Sequence, residues 1–118
     1  MRGITVTGWG INVPDKVVTN DDLSARLDTN DAWIVERTGI KERRVGGITS
    51  QMATEAGRRA LERAGVDPGS IDVLVLATTT PDALVPGTSA VVQDALGVGG
   101  GAFDVNAACS GFVYGLVV

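Results

Sequence analysis

Val73-Leu74-Val75-Leu76-Ala77 is a nearly continuous run of apolar and largely β-branched residues within residues 71–78. A strand with one wet face alternates apolar and polar side chains. A strand covered on both faces loses that alternation, and this is the pattern of a buried parallel strand. Just upstream, Met52, Ala56, Ala60 and Ala64 recur every four residues, with Ala53 and Leu61 beside them. Glu55, Arg58, Arg59, Glu62 and Arg63 fill the other side. The spacing predicts an amphipathic helix that starts near Thr49 or Ser50 and is stopped by Gly65, followed by a turn at Asp67-Pro68-Gly69. Downstream, Pro86-Gly87-Thr88 opens a helix through Leu96, with Gly97 at its end. A strand to Asn106 and a helix from Cys109 follow.

The first part of the chain is less periodic. Residues 3–10 carry Ile4, Val6 and Trp9 in loose alternation and read as a strand, broken by Val13-Pro14-Asp15. Asn20-Asp21-Asp22 caps a short helix through Leu27. Asp28-Thr29-Asn30-Asp31 caps a second, from Ala32 to Thr38, stopped by Gly39. Residues 41–45 read as a short strand before a Gly46-Gly47 turn. Strands alternating with helices imply an α/β layered fold with a largely parallel sheet.

At 118 residues this is one domain at most, or part of one. Apolar residues make up 44% and charged residues 20%, which excludes a disordered tail. Aromatic residues are only 4%, so the core must come from Val, Leu, Ile and Ala. The net charge of -4 carries no general affinity for nucleic acid. No histidine is present, which excludes a Cys–His dyad and a histidine metal site within these residues, and no metal is implied. One cysteine cannot form an internal disulfide, which suits a reducing cytoplasm. No signal-peptide pattern opens the chain, and no apolar run approaches the ~18 residues that span a bilayer. These features point to a soluble cytoplasmic protein that binds neither nucleic acid nor membrane.

Cys109 is the lone cysteine, and its flanks give it a reading beyond a buried structural thiol. It falls where a short buried strand turns into a helix. Unpaired N–H groups and the positive dipole end gather at such a place and favour an anion, and the thiolate is the nucleophilic form of cysteine. Ala107, Ala108, Ser110 and Gly111 leave room for a substrate to approach.

Other motifs carry less. Gly97-Val98-Gly99-Gly100-Gly101-Ala102 matches a dinucleotide fingerprint, but it follows a helix and leads into a strand, the reverse of the required context. It reads as a loop. Gly111 and Gly115, four apart, let their helix press against another element. Arg37, Lys41, Arg43 and Arg44 are diluted by Glu36 and Glu42 and form either a solvated surface or a landing site for phosphates. Trp33 and Arg37 share one helix face. Together they either sandwich a flat ring, or Trp33 is core and Arg37 snorkels over it.

Four segments carry a family resemblance. They are Asp28-Thr29-Asn30-Asp31-Ala32-Trp33-Ile34-Val35-Glu36-Arg37-Thr38-Gly39-Ile40-Lys41-Glu42-Arg43-Arg44, Met52-Ala53-Thr54-Glu55-Ala56, Leu76-Ala77-Thr78-Thr79-Thr80-Pro81, and Phe103-Asp104-Val105-Asn106-Ala107-Ala108-Cys109-Ser110-Gly111-Phe112. In order and in spacing they closely resemble β-ketoacyl-acyl carrier protein synthase III, the FabH family, and the resemblance covers the whole chain. It implies a thiolase-like fold of two similar halves in αβαβα layers, usually a homodimer. Residues 1–118 would be a partial N-terminal thiolase-like domain, with the C-terminal half absent. Cys109 matches the family's acyl-accepting nucleophile. Thr29, Trp33 and Arg37 match positions that hold the adenine end of coenzyme A. Val85 matches a position lining the partner subunit's acyl pocket. The implied partners are acyl-CoA and malonyl-acyl carrier protein, with coenzyme A thioester as substrate and no separate cofactor. The family's catalytic histidine and asparagine, and one of two oxyanion-hole donors, lie in the second half. Losing one such donor costs ~3–4 kcal/mol, so the chain alone is expected not to complete the condensation.

Two rival readings share parts of this pattern: a related thiolase-superfamily enzyme of secondary metabolism, which transfers starter or acyl units, and a noncatalytic truncated binding or dimerisation module. A generic nucleotide-binding domain is opposed by the misplaced glycines. The last helix, apolar from Phe112 to Val118 with no C-cap, predicts a truncated chain whose final helix is incompletely covered and whose thiol is open.

Overall fold

The computed structural model describes residues 3–118. These divide into two compact units, residues 13–47 and the remainder.

The smaller unit holds β1 (Val17–Thr19), α1 (Asn20–Ser24), α2 (Asp31–Thr38) and β2 (Glu42–Arg44). β1 and β2 pair antiparallel, with Val18 opposite Arg43. β1 is an element the sequence pattern did not reveal. The expected helix over residues 20–27 is shorter: it stops at Ser24, and Thr19 rather than Asn20 caps it. Thr19 and Asp22 form a reciprocal capping box. Asn20 is instead buried as a joint. Its amide donates to Asp31 Oδ1 and the Ile40 carbonyl, each at 2.8 Å, and its oxygen accepts from Arg43 at 2.8 Å. Arg44 donates to the Pro14 and Asp15 carbonyls. Two of the four clustered cations are thus spent on the unit's own backbone and side chains, against a phosphate-landing role for them. α2 follows expectation, capped by the Asn30 side chain and closed by Gly39 in the left-handed conformation.

The larger unit holds α3 (Thr49–Ala64), β3 (Val73–Ala77), α4 (Thr88–Leu96), β4 (Gly101–Val105) and α5 (Gly111–Val117). β3 and β4 pair in parallel, Val75 opposite Phe103, and α4 makes the crossover between them. The largely parallel sheet is therefore this pair, while the β1–β2 pair is antiparallel. The glycine run 97–101 is the loop into β4. A Cβ on Gly100 would overlap the Asp72 backbone, so glycine there serves a close chain crossing, not a nucleotide. Residues 3–10 form no strand. Their backbone has no neighbouring strand to pair with among the described residues, and residues 8–11 lie instead across α3. The core is thin. Val92 and Val98 are its buried hydrophobics in this unit, whereas Val73 on β3 is 49% exposed. The double burial predicted for β3 is met only in part.

Candidate active site

Parallel strands that end side by side present their following loops on one edge, where α/β proteins assemble their sites. The Thr78 N–H donates to the Val105 carbonyl at 3.0 Å, extending the β3–β4 ladder by one bond. Beyond it the chain turns sharply. Ala108 has φ of 45°, the left-handed region, where a β-carbon is crowded and strain is stored. Cys109 follows on a short 3-10 turn, Ala108–Ser110, and its free thiol is exposed. α5 begins only at Gly111, so Cys109 stands two residues before the helix rather than in its first turn. The positive φ of Ala108 takes the backbone off the helical path and delays the helix. Gly111 and Gly115 face β3 as expected. A Cβ on the first would lie 3.2 Å from the Ala77 Cβ, and one on the second 3.5 Å from Val75 Cγ1. The other side of α5 is open, with Phe112 at 73% and Val117 at 78% exposure.

Val85 lies in the loop between β3 and α4, where Leu84 and Val85 are nearly fully exposed. Both ends of this loop are held by polar residues that the sequence pattern did not single out. Asp82 Oδ1 accepts the Ser50 N–H at 3.1 Å, capping α3 from outside, and the Asp82 N–H donates to Thr88 Oγ1 at 2.8 Å. Asp104 on β4 accepts the N–H groups of Thr88 and Ser89 at 2.9 and 2.7 Å. Partial burial works to raise the Asp104 pKa, but hydrogen bonds from Ser89 and Thr88 outweigh it and hold the carboxyl below its ordinary range. One signal did exist: Asp104 is the only charge in an otherwise apolar strand, and such a charge needs partners.

In the smaller unit, the Asn30 side chain accepts the Trp33 N–H at 2.8 Å and starts α2. Trp33 is 51% exposed, so among the described residues it is not part of a core. The Arg37 guanidinium lies 4.4 Å from the centre of its ring, with Glu36 3.6 Å from Arg37 Nη1. The Thr29 hydroxyl is buried and has no hydrogen-bond partner among the described residues. An exposed ring with a cation over it is an arrangement that can take a flat, anionic ligand. Among the described residues, no cluster of acidic and cysteine side chains could hold a metal ion, and no helix is long and apolar enough to cross a membrane.

No protein-family model matches the chain. Curated proteins do. The chain is 56% identical over 115 residues to β-ketoacyl-acyl-carrier-protein synthase III of Erythrobacter litoralis, covering 94% of this chain and 36% of that protein. Among solved structures, 3-oxoacyl-acyl-carrier-protein synthase III of Aquifex aeolicus superimposes with a TM-score of 0.92 at 45% identity, over 98% of this chain and 38% of that one. A priming β-ketosynthase of the R1128 polyketide pathway superimposes with a TM-score of 0.88 at 39% identity, over 94% of this chain and 34% of that one. The fold is thus thiolase-like, and the chain spans about a third of the length of the proteins it matches.

Proposed function

We propose that this chain, which over its length belongs to the β-ketoacyl-acyl-carrier-protein synthase III family, provides the acyl-accepting portion of a condensing enzyme that initiates fatty-acid synthesis. The observation that carries the reading is the exposed Cys109 on its strained turn beside the ends of β3 and β4, in a chain so similar to synthase III.

The chemistry has two steps. The Cys109 thiolate attacks the carbonyl of an acyl-CoA, and the coenzyme A thiolate leaves with its electron pair, which yields an acyl thioester on Cys109. Malonyl-acyl carrier protein then loses carbon dioxide, and its carbanion attacks that thioester. The new carbon–carbon bond forms, the Cys109 thiolate is released, and the β-ketoacyl group stays on the carrier protein. Thr29, Trp33 and Arg37 receive the adenine end of coenzyme A, and Val85 lines an acyl pocket in a homodimer. The family resemblance puts the histidine and asparagine that drive decarboxylation in the second half, so the chain alone is expected not to complete the condensation. The enzyme works in the cytoplasm.

Radiolabelled acetyl-CoA is expected to label the protein carrying this chain but not its Cys109→Ala variant; equal labelling of both refutes the reading. Trp33→Ala and Arg37→Ala are expected to weaken coenzyme A binding about five- to thirty-fold, the equivalent of ~1–2 kcal/mol for a desolvated cation–π contact. Unchanged affinity in both would remove the adenine assignment while leaving Cys109 untouched.

The polyketide priming enzyme supports a second reading, starter-unit condensation in secondary metabolism. Comparing malonyl-acyl carrier protein with other acceptors separates the two.

A further inference from the structure

α2 is too short to hold itself in place. Its eight residues fall below the length at which an isolated helix persists in water, and Ile34 is its one buried side chain. Trp33 and Arg37 stand about half exposed. The placement of α2 in its unit therefore leans on polar contacts at its two ends, and one side chain reaches both. Asn20, at 1% exposure, donates from its amide nitrogen to Asp31 Oδ1 at the first residue of the helix and to the Ile40 carbonyl just past its last. Its amide oxygen accepts from Arg43, whose guanidinium also donates to the Val18 carbonyl at 3.2 Å, so the grip continues into the β1–β2 pair. The Asn20 backbone is fixed as well. Its N–H donates to the Lys41 carbonyl at 3.2 Å, and its carbonyl accepts the Ser24 hydroxyl at 2.9 Å. A buried amide with its donors and its oxygen engaged is a rigid joint, because loss of any partner leaves a polar atom unpaired away from water.

We propose that Asn20 is a positioning residue for coenzyme A binding: by gripping both ends of α2 it fixes the helix that carries Trp33 and Arg37. This rests on the reading of those two side chains as the adenine clamp. Asn20 is buried and offers a ligand nothing of its own, so it acts through α2. The ring and the guanidinium are presented already in place, and binding does not have to order the helix that bears them. The substitution Asn20→Asp breaks the grip with little change of shape. It keeps an oxygen for Arg43 but has no N–H, and it sets a carboxylate against Asp31 Oδ1 and the Ile40 carbonyl, so both bonds to the ends of α2 turn repulsive.

The test follows labelling of the protein carrying this chain by acetyl-CoA and by acetyl-pantetheine, a thioester that lacks the adenine nucleotide. In Asn20→Asp the acetyl-CoA concentration that gives half the limiting labelling rate is expected to rise about fivefold, the lower end of what loss of the clamp itself would cost, while the limiting rate stays unchanged. Labelling by acetyl-pantetheine is expected to match the wild type. Asp31→Ala removes one of the bonds made by the Asn20 side chain and keeps those to Ile40 and Arg43, and it is expected to shift the same concentration in the same direction by less. Should Asn20→Asp fail to fold, Asp31→Ala decides alone. A half-saturating concentration unchanged in the folded variants, or a loss shared equally by the two thioesters, overturns the proposal and leaves Asn20 as a joint of the fold alone. A wild-type protein labelled by neither thioester, or with no preference for acetyl-CoA over acetyl-pantetheine, overturns the acyl-acceptor reading or the adenine assignment first, and this proposal with it.

Discussion

α3 and α5 belong to the same unit and meet opposite fates. α3 presents a stripe of small residues, and the chain closes over it from two sides. Residues 8–11 cross it so tightly that a Cβ on Gly10 would overlap the Ala56 carbonyl, and Leu96 of α4 seats over Gly57. Arg59 donates to the Ile11 carbonyl at 2.7 Å, and Arg63 donates to the Trp9 carbonyl at 3.0 Å while lying over the Trp9 ring. α5 carries bulky side chains on every side except the glycine edge that rests on β3. Phe112, Val113, Tyr114, Leu116 and Val117 are all exposed. A helix with one apolar stripe needs one partner, whereas a helix apolar all round needs several. The described residues give α5 one partner surface, the β3–β4 pair.

The largest expected effect comes from breaking the covered helix. Gly10→Ala must push a methyl group into the α3 backbone at Ala56, where no flexible side chain can yield. Overpacking of this kind costs ~3 kcal/mol, near the upper end of its usual span, because the clash is with main chain. Gly3→Ala, at a site with nothing within 4 Å, is the matched control and should be neutral. Urea midpoints of the two variants measure the difference. Equal midpoints would show that residues 8–11 leave α3 readily, and the contrast between the two helices would lose its first half.

The same contrast explains what the sequence made legible. α3, β3, α4 and β4 were readable because their patterns find their complements nearby: a stripe meets glycines, and left-handed glycines at 39, 65 and 97 end the helices before them. The family resemblance pointed to the same fold and to Cys109. Elements whose state depends on remote partners were not readable. Residues 3–10 alternate like a strand, yet a strand exists only where another lends it hydrogen bonds. β1 is three residues long and is defined by its pairing with β2 rather than by any periodicity of its own. The start of α5 was misplaced by two residues because a positive φ at Ala108 has no sequence signal when the residue is alanine rather than glycine. The lone charge in β4 signalled that Asp104 needs partners, but which residues make the Asp82–Thr88–Asp104 joint was invisible for another reason. Each residue is a common turn or cap former, and only the parallel pairing of β3 with β4 brings them together.

The smallest effect on stability, and the sharpest reading of the open helix, comes from polar substitution on α5. Phe112→Ser combined with Val117→Ser removes two apolar side chains that bury little in these 118 residues. Changes at exposed positions usually stay within ~0.5 kcal/mol, so the far-UV circular dichroism of the 118-residue chain should be unchanged. Its surface should change markedly. Contiguous apolar exposure drives self-association and dye uptake, so the parent chain is expected to bind a hydrophobic dye and to sediment as oligomers. The double variant is expected to bind less dye and to shift toward monomer. If the parent chain instead sediments as a monomer with no dye uptake, α5 is covered in solution, and the difference between the two helices disappears. The longer proteins that this chain resembles provide the complementary comparison. If their additional residues cover α5, the same two serines are buried there among apolar neighbours, and the penalty should rise to several kcal/mol, as for other buried large-to-small replacements.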